Sequence, residues 1–134
     1  MGAPLLVVTF DPDEEGRSAV AAELGGSADA VYLPGLNDPL RREALRNAAA
    51  LLARNTDTEL RAGEPALIGA ARLVQFMSAG VDFIRLRDLP AEVPIAGNGG
   101  AYAEPMAEHA VALALAAAKR LLPEHTALTR GEFN

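Results

Sequence analysis

The residues best suited to chemistry here are Gln75-Phe76-Met77-Ser78-Ala79-Gly80-Val81-Asp82, and the chemistry they offer is main-chain binding. An apolar run ends in small side chains, which let the backbone come close to a ligand, and glycine permits unusual φ. Successive amides in such a turn can cradle a carboxylate, and a short helix starting at Asp82 would add its dipole. Ser78, Ala79, Gly80 and Val81 are therefore candidates for holding a small anion. The same residue types also make an ordinary tight strand-to-helix turn.

Other chemical sets are incomplete. Gly97-x-Gly99-x-x-Tyr102 precedes a helix like a dinucleotide fingerprint, but Tyr102 stands where the third Gly or Ala belongs. An ordinary glycine turn into a helix explains it better. Glu104, Glu108 and His109 fall on the first turns of that helix, where the dipole alone favours carboxylates. A metal centre needs more ligands than these, so no metal site is expected. Asp11 and Asp13 follow the first strand as in a phosphoacceptor pocket, but Ala53-Arg54-Asn55 stands where an acceptor aspartate should end the third. With two histidines and no cysteine, no nucleophilic triad can be assembled, and no catalytic residue is assigned.

The elements that must position these residues alternate. Leu5 to Phe10 reads as a buried strand. Asp11-Pro12-Asp13 caps a helix to about Leu24, with Val20 and Leu24 as its core face, and Gly25-Gly26 ends it. Ala28 to Leu33 is a second strand. Asn37 or Asp38 caps a helix to about Asn47, with Pro39 at its first position. Ala50 to Ala53 is a third strand, and Thr56 or Asp57 caps a short helix. Ala66 to Ala71 reads as helical, Arg72 to Phe76 as a fourth strand, Asp82 to Leu86 as one helical turn, and Val93 to Ala96 as a fifth strand. A helix then runs from Ala103 to Leu122, stopped by Pro123. Alternation of this kind predicts an α/β fold: a flavodoxin-like three-layer sandwich, a mostly parallel sheet of about five strands, then a long helix. Ala110 to Ala118 is apolar all round, the pattern of a helix buried on every side or facing a partner.

Composition narrows the partners. The chain has 134 residues, half of them hydrophobic, with a net charge of −6. That charge argues against nucleic acid and against anionic membrane surfaces. The absence of cysteine excludes disulfides and thiolate chemistry and fits a reduced cytoplasmic setting. No signal peptide or membrane span is read from the apolar runs.

With these residues in view, the chain resembles the N-terminal part of the D-isomer-specific 2-hydroxyacid dehydrogenases. The resemblance lies in LVQFMSAGVDFI, in VPIAGNGGAYAEPMAEHAVALALAAAKRL and, more weakly, in ALLARNTD. It covers about Ala48 to Leu122. It implies a flavodoxin-like substrate-binding domain over residues 1–101, then an interdomain helix and the start of a Rossmann domain over 102–134. By the resemblance, the amides of Ala79 and Gly80 would hold the carboxylate of a small 2-oxoacid or 2-hydroxyacid. Arg54, Asn55 and Asn98 would share that cleft edge. NAD or NADP would belong to the parent enzyme and not to this chain, which is expected to be a truncated, inactive piece. A homodimer through Val111, Leu113 and Leu115 is expected. The alternative from another class is a free-standing flavodoxin-like interaction module without redox activity.

Overall fold

Apolar β-branched and leucine-rich runs build the sheet. The computed structural model describes residues 2–132. Its strands are β1 (Leu5–Val8), β2 (Asp29–Tyr32), β3 (Ala48–Ala53), β4 (Val74–Phe76) and β5 (Ile95–Ala96). They pair in the order β2-β1-β3-β4-β5, every pair parallel. With the helices between them, this is the flavodoxin-like α/β fold expected from the alternation.

Local chemistry sets the helix limits. In α1 (Glu14–Leu24) the Asp13 side chain accepts from the Gly16 amide, and Gly25 closes the end at φ 52. In α2 (Asp38–Asn47) Asn37 is the cap, accepting from the Leu40 amide. Pro39 therefore stands second, not first, where a missing N–H still costs nothing. In α3 (Thr56–Glu59) Asn55 is the cap, accepting from the Asp57 amide at 3.0 Å. Pro65–Ile68 is a short 3-10 turn in place of the helix expected to Ala71.

The two faces of the sheet are filled differently. Val7, Leu51 and Phe76 are fully buried together with Leu33 and Leu45 of α2's side, and Ile68 completes that cluster. On the opposite face Leu6, Leu52 and Gln75 are half-buried, though Val8 beside Leu52 is fully buried. The α1 helix buries no residue, so the core face expected at Val20 and Leu24 is only partly covered. The reason is register: a strand turns successive side chains to opposite faces, and the dense cluster takes one set only.

An arginine closes the filled face. Arg41 of α2 is 3 % exposed and Glu64 is 2 % exposed. Arg41 Nε donates to Glu64 Oε1 at 2.9 Å and Nη2 to Oε2 at 2.7 Å. Two further guanidinium hydrogens go to the carbonyls of Leu33 and Glu59, both at 3.1 Å. The hydrogen bond from Arg41 holds the Glu64 carboxyl below its usual range, and the Arg61 amide helps in the same direction. Ring-shaped satisfaction of this kind is what a buried charge pair requires.

The described chain divides into two compact units, the first ending at Gly99 and the second starting at Gly100. The second contains α4 (Ala103–Ala118) and α5 (Leu121–Thr129). Two expectations are corrected there. The long helix does not run to Leu122: it ends at Ala118 with Lys119 as its cap, and Arg120 turns left-handed at φ 53. Pro123 does not stop a helix but lies in the first turn of α5, where no N–H is needed. Nor is α4 buried on every side. None of its residues is buried, and Val111, Leu113 and Leu115 are each more than half exposed. Among the described residues no helix is long and apolar enough to cross a membrane.

Candidate functional site

In a parallel sheet every strand ends at the same edge, so the loops after β1, β3, β4 and β5 open side by side. The register sets their neighbours. Val8 is opposite Leu52 and Ala53 is opposite Phe76. Phe10 therefore adjoins Arg54, and Arg54 adjoins Met77 and Ser78.

The turn after β4 has the free amides the sequence suggested. The Met77 amide still donates to the Ala53 carbonyl at 2.9 Å, extending the ladder. Beyond it, among the described residues, the amides of Ser78, Ala79, Gly80 and Val81 donate to nothing. The Ser78 hydroxyl is buried and also without a partner, a state that carries a desolvation cost. Ala79 and Gly80 are exposed. Unpaired amides at an open sheet edge can accept a carboxylate's oxygens as hydrogen-bond partners.

Asn98 shapes this turn. Its amide donates to the Ser78 carbonyl at 2.8 Å, and its Nδ2 to the Met77 carbonyl at 3.3 Å. Gly97 is what allows the approach. A Cβ there would stand 3.1 Å from the Ala79 carbonyl oxygen and 3.4 Å from that of Ser78. The turn is therefore held in shape from the neighbouring strand rather than by its own side chains.

Three expectations about the turn are corrected. Gly80 has no positive φ. A Cβ there would stand 3.0 Å from Asp82 Oδ1, a contact the exposed Asp82 side chain can relieve by turning. No helix starts at Asp82; the nearest helical turn is a 3-10 turn at Leu86–Asp88, so no helix dipole serves the site. Asp82 instead brings a carboxylate close to Gly80, which disfavours an anion and leaves a need for a cation.

Arg54 and Asn55 lie at the same edge in different roles. Asn55 spends its side-chain oxygen capping α3. Arg54 is exposed, with its guanidinium carbon 4.1 Å from the centroid of the Phe10 ring. The Arg54 amide donates to Glu59 Oε2 at 3.1 Å, and the Thr9 hydroxyl donates to the same oxygen at 2.6 Å. Sequence reasoning missed Thr9, Phe10 and Glu59. An aromatic residue one step past a strand, level with an arginine one step past the next, was the available signal.

A separate cleft of about 530 Å³ is lined by Thr56, Asp57, Leu60, Arg61, Arg85 and Asp88, among others. Its charges are already matched: Arg85 Nε lies 3.0 Å from Asp57 and 3.5 Å from Asp88. Hydrogen bonding to Asp57 holds the Arg85 guanidinium above its usual range. No cluster of three metal-ligating side chains occurs among the described residues. The Gly97–Tyr102 segment does not fit a dinucleotide: Gly97 is packed against the Ala79 carbonyl and the Asn98 amide is spent on Ser78.

Comparison with known proteins finds no family model that matches this chain and no curated protein that matches it.

Proposed function

We propose that this chain is the substrate-binding domain of an NAD(P)-dependent 2-hydroxyacid dehydrogenase, the class that interconverts 2-oxoacids and D-2-hydroxyacids by hydride transfer. The observation that carries the reading is the run of undonated amides from Ser78 to Val81, braced by Asn98, at the carboxyl edge of the sheet. Those amides meet the substrate carboxylate. Hydride and proton transfer need a nicotinamide and an acid–base pair, which the residues of this chain do not supply.

The amides act without a helix dipole and beside Asp82, so affinity is low. A millimolar Kd corresponds to about 4 kcal/mol. Titration of pyruvate into the ¹⁵N-labelled chain moves the Ala79 and Gly80 amide resonances most. If the largest shifts fall at residues 11–17 instead, the assigned edge is wrong. In an absorbance assay with NADH and pyruvate or glyoxylate, the 134-residue chain gives no turnover, and turnover would overturn the division of labour proposed.

A second reading, an interaction module without redox activity, draws on the exposed apolar side chains of α4. In our reading the same residues, Val111, Leu113 and Leu115, pair two copies of the chain. Burying each leucine contributes roughly 1.5–3 kcal/mol, and a two-fold arrangement counts it twice.

A further inference from the structure

The strand order reverses between β1 and β3. In doubly wound sheets, ligands bind in the crevice at such a reversal, outside the carboxyl ends of the strands. Phe10 and Arg54 are the residues that stand there, one step past Thr9 and Ala53. Three observations distinguish them.

First, Phe10 is buried, yet it is not part of the main apolar cluster. It stands past the end of β1, outside the cluster that holds Val7, so its ring is not filler for that core. Second, the Arg54 guanidinium carbon sits 4.1 Å from the centroid of that ring and, among the described residues, the group has no carboxylate within 4.0 Å. Stacking uses the face of the guanidinium and leaves its in-plane N–H donors free for a bidentate carboxylate. Third, the Arg54 backbone is fixed independently. Glu59 Oε2 accepts from its amide, and that carboxylate is held by Thr9, which is 1 % exposed. Main chain and side chain are each braced, and neither brace consumes the N–H edge.

We propose that Phe10 is a positioning residue that holds the Arg54 guanidinium at the β1–β3 reversal as the cationic contact for a 2-oxoacid carboxylate. The inference deepens the reading of this chain as a 2-oxoacid-binding domain and rests on it.

The test is a pyruvate titration of the full chain at constant ionic strength, read at the Ala79 and Gly80 amides. The proteins are the wild type, Phe10→Leu, Phe10→Tyr, Arg54→Gln and the Phe10→Leu/Arg54→Gln double variant. Loss of the ring weakens binding by roughly three- to tenfold, and the tyrosine ring restores it to within about twofold. In the Arg54→Gln background, Phe10→Leu weakens nothing further. An equal loss from Phe10→Leu with and without Arg54 would show that the ring serves only the fold, and would overturn the proposal. So would a Phe10→Leu variant that binds like the wild type. Should Phe10→Leu not fold, Phe10→Met removes the ring with less change of volume. A wild type that shows no saturable shift with pyruvate overturns the functional reading, and the proposal with it. Binding that persists but ignores Phe10 overturns the proposal alone.

Discussion

The two faces of the sheet are made from neighbouring residues of one strand and yet do different work. Leu51 is fully buried against Val7, Leu45 and Ile68, while Leu52, the next residue, is half-buried on the other side. The first face is closed by α2 and by the Arg41–Glu64 pair. The second holds half-buried Leu6 and Leu52 beside a fully buried Val8, and past the strand ends come the buried Phe10 and the exposed Arg54. Stability is concentrated on one face, which leaves the other free to carry groups that face water and small ions. The difference teaches that the residue to suspect of function is the buried aromatic outside the main cluster, not the larger set within it.

The comparison can be broken most strongly at the ion pair. Glu64→Leu leaves the Arg41 charge buried without its partner and lowers stability by about 3–5 kcal/mol, measured by urea unfolding. The same pair gives a pH signature. The folded-state pKa of Glu64 is depressed by the Arg41 hydrogen bond, so its contribution is fully present above the ordinary glutamate value, about 4.3. It is lost as pH falls below that value and through the depressed one. In Glu64→Gln the part of the acid destabilisation due to this residue disappears, and an unchanged acid profile would refute the assignment.

A pair of adjacent truncations sharpens the contrast. Leu51→Ala opens a cavity in a closed cluster and costs about 2–5 kcal/mol. Leu52→Ala removes a side chain already half in water and costs roughly half as much. Equal losses would show that the second face is as tightly packed as the first.

The smallest effect on stability belongs to the second unit. Leu113→Asp replaces an exposed leucine and changes the unfolding free energy by less than about 0.5 kcal/mol. Sedimentation velocity reads the other consequence: the wild type pairs and the variant does not. A monomeric wild type, or a dimer indifferent to Leu113→Asp, would remove this helix as the association surface.

Much of this was legible in the residues. Strand-period runs and glycine or proline punctuation foretold a mostly parallel sheet of about five strands, and the caps at Asp13 and at Asn37, one of two candidates, lay where short polar side chains allowed. The turn at Ser78 to Val81 was found because a strand ended in small residues. What escaped was pairing. Arg41 shares a helix face with Ala44 and Leu45, and an arginine on an apolar face should have prompted a search for a buried acid. Glu64 lies 23 positions away, though, and no local pattern points to it. Asp82 looked like a helix start because an acid after glycine often is one, but the chain at that point is held by Val81 accepting from Ile84 rather than by a helix. The apolar run in α4 was read as more surface than the domain could cover, and its exposed Val111, Leu113 and Leu115 agree with that, although hydropathy alone could not say that none of the helix would be buried.

Gly97 has a genetic consequence. Every amino acid reachable from a glycine codon by one base change adds a Cβ, and at Gly97 any Cβ meets a main-chain oxygen at 3.1 Å. The backbone of the neighbouring turn cannot rotate aside as a side chain could, so each such missense change must push the Ala79 loop outward. Gly99, two residues on, has nothing within 4 Å of the same position and no positive φ. Two glycines in one short motif should thus show opposite mutational tolerance: in a library of point variants selected for pyruvate binding, position 99 drifts freely while position 97 returns glycine alone.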